Sequence, residues 1–116
     1  MNYEDMTDYE INKAVATSWL ECDYDFDDEG EVVDLIGYQT YLGAHGVPDE
    51  RLEKYGEFNP LKNVSDAWPI IIKNSIVIEL RENKSSLAYL KGDAPCEDKN
   101  PLRAAMIVYL MMREQK

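Results

Sequence analysis

The hydrophobic pattern changes period several times along the chain, and each change predicts an element. Ile11, Ala14, Val15 and Trp19 recur at helical spacing, broken only by Ser18, so an amphipathic helix is expected over about 8–20. Its start is marked by Thr7-Asp8-Tyr9-Glu10, a capping-box sequence, with Met6 and Ile11 placed as a hydrophobic staple. Val32 to Tyr41 is rich in β-branched, aromatic and aliphatic residues and predicts a strand that Gly37 could bulge or break. Gly43-Ala44-His45-Gly46 reads as a loop. Pro48 to Tyr55, closed by Gly56, predicts a short helix with proline in its first turn.

A second helix is expected over about 66–73, capped by Asn63 or Ser65, with Asn74 as a left-handed stop. Ile76 to Leu80 predicts a strand, Glu82-Asn83-Lys84 a turn, and Ser86 to Lys91 the hairpin partner. Residues 92–99 read as loop. Asn100-Pro101 then opens a last helix, with Asn as cap and Pro at its first position. Its run Ala104–Met112 is apolar on every side, as in a helix buried all round. A homodimer contact through 104–112 is the competing reading. The order α-β-(α)-α-β-β-α predicts an α+β domain in which helices cover a small antiparallel sheet. With 116 residues, the expectation is a single domain, 1–116, with an acidic loop at about 21–31. Trp68, Ile71 and Ile72 are expected to share a core with Met106, Tyr109 and Leu110, so that Trp68→Ala would cost about 3–5 kcal/mol.

Charge changes this picture in one place. The net charge is −11. Residues 1–34 hold twelve acids against the single base Lys13, whereas residues 35–116 hold eleven of each. The whole excess therefore sits in the first third. A direct nucleic-acid binder needs a basic surface, so that class is disfavoured; a cationic protein partner fits. As an EF-hand loop the stretch fails in both registers: starting at Asp23 puts Asp28 where glycine is required, and starting at Asp25 puts Ile36 at the last ligand. No metal and no cofactor are expected, and calcium should bind more weakly than about 10⁻⁴ M.

Catalytic chemistry is thin. His45 is the one histidine, in a glycine-flanked loop, and Cys22 and Cys96 are expected as free thiols. No apolar run nears a membrane span, and a soluble cytosolic protein is expected. Arg103, at the third position of the last helix, could form an anion site with the helix start, or pair with Asp66, Glu97 or Asp98.

The segments FNPLKNVSDAWPIIIKNSIVIEL and NPLRAAMIVYLMM, with the opening MTDYEINKAVA, resemble the NinX-like family of tailed-phage and prophage proteins. The resemblance covers 1–20 and 58–113. It implies a phage accessory protein in the host cytoplasm and carries no activity with it. Two binding readings follow. In the first, Asp23, Asp25, Asp27 and Asp28 face a basic surface on a host factor, in defence or nucleic-acid handling, which the protein blocks or sequesters. In the second, Arg103, Trp68 and the helix starts at Asn63 and Asn100 capture an anionic nucleotide. An enzyme is the least supported reading.

Overall fold

The computed structural model describes residues 2–82 and 85–114. After a 3-10 turn at Tyr3–Asp5 come α1 (Asp8–Trp19), β1 (Tyr24–Asp27), β2 (Val32–Leu42), β3 (Pro48–Phe58), α2 (Val64–Lys73), β4 (Val77–Leu80), β5 (Ser86–Tyr89), β6 (Cys96–Asp98) and α3 (Pro101–Glu114). The fold is α+β, but with two three-stranded antiparallel sheets instead of one, ordered β1-β2-β3 and β4-β5-β6.

The capping box forms as written: Thr7 Oγ1 accepts the Glu10 amide at 3.1 Å, and the Glu10 carboxylate accepts the Thr7 amide at 3.2 Å. Those bonds hold the Glu10 carboxyl below the usual carboxylate range. Asn63 caps α2, accepting from the Ser65 amide at 3.0 Å. At its far end the left-handed residue is Ser75, not Asn74.

α3 is the centre of the molecule. Ala104 through Leu110 are all buried, and the helix touches α1, α2 and every strand of the second sheet. Its apolar circumference is therefore used inside the chain, leaving Met111 as the exposed apolar residue of that run. Val33 and Phe58 bring the base of the first sheet into the same core.

Three expectations are corrected. Residues 48–55 are strand, not helix. Their helix-forming side chains are overridden because β3 pairs along its length with β2, from Leu42↔Pro48 to Val33↔Phe58. Residues 92–99 are not all loop, since Cys96–Asp98 adds a third strand beside β5. Trp68 is not core: it is 54% exposed. Ala67, Ile70 and Ile71 form the inward face of α2, and Val64, Trp68 and Ile72, four residues apart, form an outward stripe. The predicted turn at 82–84 falls partly on Asn83 and Lys84, which lie outside the described residues.

Candidate functional site

The acidic segment is an ordered ribbon. Tyr24-Asp25-Phe26-Asp27 forms β1, antiparallel to Val32–Leu35 of β2. The loop expected at about 21–31 therefore shrinks to a tight turn at 28–31. The missed signal was the two-residue alternation of ring and acid, obscured by acid density; the Tyr24 and Phe26 rings lie 5.5 Å apart. Asp27 closes the turn by accepting the Gly30 amide at 3.1 Å. Glu31 then takes a left-handed φ of 54°. A Cβ on Gly30 would lie 2.8 Å from Asp27 Oδ2, so glycine is what lets that carboxylate approach.

Asp23, Asp25, Asp27 and Asp28 are all exposed. Asp28 accepts the Tyr9 hydroxyl at 2.7 Å and lies 3.8 Å from Lys13 Nζ. Lys13 also sits over the Tyr9 ring, 4.6 Å from its centroid. Partial burial and the bonded carboxylate push the Tyr9 phenol up to about 12. Asp23, Asp25 and Asp27 have no ion pair among the described residues, and Asp25 stands directly opposite Asp34. Lys54 answers Asp34, 3.0 Å from its Oδ1. No group of acids, cysteines and histidine able to hold a metal occurs among the described residues.

Arg103 lies elsewhere and is fully engaged. Its Nε donates to Asp98 at 3.0 Å and its Nη1 to Asp8, while Nη2 donates to the carbonyls of Met6 at 2.7 Å and Glu4 at 3.3 Å. The side chain is only 12% exposed. Of the expected ion-pair partners, Asp98 is present, and Asp8 is one that sequence spacing could not reveal. Asn100 caps α3 through the Leu102 amide at 2.9 Å and donates to the Leu61 carbonyl at 2.8 Å. Asn63 and Asn100 thus spend their side chains on caps and chain connections. Trp68 stands on the outward stripe of α2.

Two further features were not legible in the sequence. A cavity of about 650 Å³ opens where the C-terminal ends of α1, α2 and α3 meet, lined by Trp19, Glu21, Lys73, Asn74, Tyr109 and Arg113 among others. Lys73 lies over the Trp19 ring at 5.6 Å, and neither cation has a carboxylate partner among the described residues. The second feature is an arm. Beyond Leu35, β2 and β3 run on as a two-stranded ribbon that bears exposed Tyr38, Leu42, Val47, Leu52 and Tyr55. It stretches the molecule to 63 × 27 × 27 Å, with a radius of gyration of 17.4 Å. A compact chain of this length would have about 13 Å. At the tip the Gly43 amide donates to the Val47 carbonyl at 2.8 Å, an approach a Cβ on Gly43 would block. His45, also at the tip, takes a left-handed φ of 61°.

No helix among the described residues is long and apolar enough to cross a membrane. Comparison with curated proteins and with solved structures finds no match. A family model described as "Bacteriophage P22, NinX" matches residues 2–113, nearly the whole chain, ribbon and arm included. The chain belongs to the NinX family of bacteriophage proteins.

Proposed function

We propose that this phage protein acts without catalysis, by binding a host protein with a basic surface in the bacterial cytoplasm and blocking or sequestering it. The observation that carries this reading is the acidic ribbon: Asp25 and Asp27 are exposed on β1 and Asp23 just before it, and none has an ion pair among the described residues. Fixed carboxylates on a strand are presented at regular spacing, which favours steering and register over mere solubility. Asp28 is partly answered by Lys13 and contributes less. The exposed apolar stripe of α2 and the exposed rings of the arm offer apolar contact area of the kind that anchors interfaces.

The test replaces Asp23, Asp25, Asp27 and Asp28 with Asn. Stability should stay unchanged or rise slightly, because the group is self-repelling and Asn keeps acceptor oxygens for the Gly30 amide and Tyr9. Capture of the host factor from lysate should weaken and lose its salt dependence. A variant that folds and captures the same factor with the same salt dependence refutes the ribbon's role.

A second reading, capture of an anionic nucleotide, is favoured by the cavity more than by Arg103, Asn63, Asn100 or Trp68. Lys73 and Arg113 supply positive charge and Trp19 a ring beside it. Against it, three helix C-termini converge there, and their negative dipole ends disfavour an anion. Nucleotide extraction from purified protein separates the readings: a co-purifying nucleotide lost in Lys73→Met supports the second.

A further inference from the structure

The first sheet has two free edges, and they are built differently. The β3 edge opens on Pro48 and carries Asp49, Glu50, Arg51, Glu53, Lys54 and Glu57. A bulge also falls there, because Leu35 pairs with Gly56 and Ile36 with Lys54, leaving Tyr55 extra. Charges, proline and bulges are how natural sheets keep edges from pairing.

The other edge lacks every one of these guards. β1 covers β2 only to Leu35, and its last contact is the Ile36 amide donating to the Asp23 carbonyl at 3.2 Å. Beyond it runs Ile36-Gly37-Tyr38-Gln39-Thr40-Tyr41-Leu42, with no charged residue and no proline, and β-prone at most positions. Backbone direction alternates along a strand, so the amides of Tyr38, Thr40 and Leu42 point to the same side as that of Ile36, away from β3. Among the described residues they have no strand to meet.

The geometry points to a second copy of this chain as the occupant of the β2 edge, its Tyr38–Leu42 pairing antiparallel with the same segment about a two-fold axis at Thr40. At the contact the joined sheet is then four strands wide, β3-β2 of one copy beside β2-β3 of the other, with each β1 lying beyond the contact on the same edge of its own β2. Three observations favour a copy over another strand. The register is self-consistent: residues with outward amides, Tyr38, Thr40 and Leu42, meet one another, as a hydrogen-bonded antiparallel ladder requires. The cross-strand pairs are compatible, Tyr38 with Leu42, Gln39 with Tyr41 and Thr40 with Thr40. Finally, two chains of net charge −11 repel wherever the acidic third is presented, and an uncharged segment beyond its reach is where they can meet. Stopping the pairing at Tyr38 also leaves Asp23 room beside Ile36. On one face the apolar strip of Leu52 and Tyr38, directly opposite each other, then continues into Leu42 of the partner subunit. The contact is short, at the low end of specific interfaces, so the dimer is weak and concentration-dependent. Its formation would set two acidic ribbons in one assembly.

Sedimentation velocity over a concentration series tests this. The wild-type mass should rise toward twice the monomer value. Thr40→Pro removes the donor at the axis without touching an amide bonded to β3, and should keep the protein monomeric with an unchanged circular-dichroism spectrum. Hydrogen exchange of the unmodified chain gives a readout independent of folding defects in a variant: the Tyr38, Thr40 and Leu42 amides should gain protection as concentration rises. In a Cys22→Ser background, Thr40→Cys should form a disulfide-linked dimer under mild oxidation. A wild-type chain that stays monomeric throughout overturns the proposal. So does a dimer whose three amides remain unprotected, or one that Thr40→Pro leaves intact; in those cases another face, such as the α2 stripe, joins the copies.

Discussion

The two sheets share one topology, a three-stranded antiparallel meander, and differ in almost everything else. The β4-β5-β6 sheet uses short strands, and its central strand buries Ser86, Leu87 and Ala88. It lies against α3 and helps make the core. The β1-β2-β3 sheet uses two long strands, buries Val33 and Phe58 at its base, and sends the rest outward with its rings exposed. An isolated two-stranded ribbon is marginal in water. A protein that spends chain on one gains no core by it, and the binding proposed above would give the outward sheet its use. The contrast separates core from exposed surface by region: the helices and second sheet supply most of the core, and the first sheet, beyond its base, presents surface.

The comparison breaks most visibly if a core truncation is tolerated. Met106 is fully buried on α3, and Met106→Ala should cost about 2–5 kcal/mol in denaturant unfolding. Arg103→Ala comes next, at about 2–3 kcal/mol, because it leaves Asp98 and two carbonyls without their donor. On the outward side, Leu52→Ala and Trp68→Ala should each change stability by less than about 1 kcal/mol. For Trp68 this replaces the larger value expected from sequence, and a cost like that of Met106→Ala would mean the outward faces are not outward. The smallest effect sharpens the electrostatics. Tyr9, with its pKa raised to about 12, should give phenolate absorbance only well above pH 10. Its raised pKa favours the folded state below pH ~10, and that contribution is lost as pH climbs through about 12. Asp28→Asn, which removes the charge and keeps the acceptor, should lower this pKa.

Much of the inward half was legible. The capping box at Thr7, the Asn100-Pro101 start and the all-apolar run 104–110 are local signals with local causes, and the structure realises each. The outward half was not, because its determinants are distant. Pro48–Phe58 carries Glu, Arg and Lys side chains that favour a helix in isolation; only the β2 partner makes it strand. Trp68 misled because helical spacing assigns faces but does not say which is turned inward, and Val64-Trp68-Ile72 is as apolar as Ala67-Ile70-Ile71. Of the candidate residues, the acids at 23–28 could be placed on a surface from charge alone. The fourfold engagement of Arg103 depends on Asp8 and the carbonyls of Glu4 and Met6, nearly the whole chain away.

That last distance has a consequence for the order of folding. Arg103 ties α3 to Glu4, Met6 and Asp8, and Tyr3 likewise donates to Glu114 at 3.0 Å, so these bonds join residues 95 to 111 positions apart. α1, α2 and every strand of the second sheet pack against the same helix. Non-local closure of this kind is slow to begin. A chain truncated before residue 101 lacks the helix on which these elements meet, and it should be digested rapidly by protease where the 116-residue chain resists.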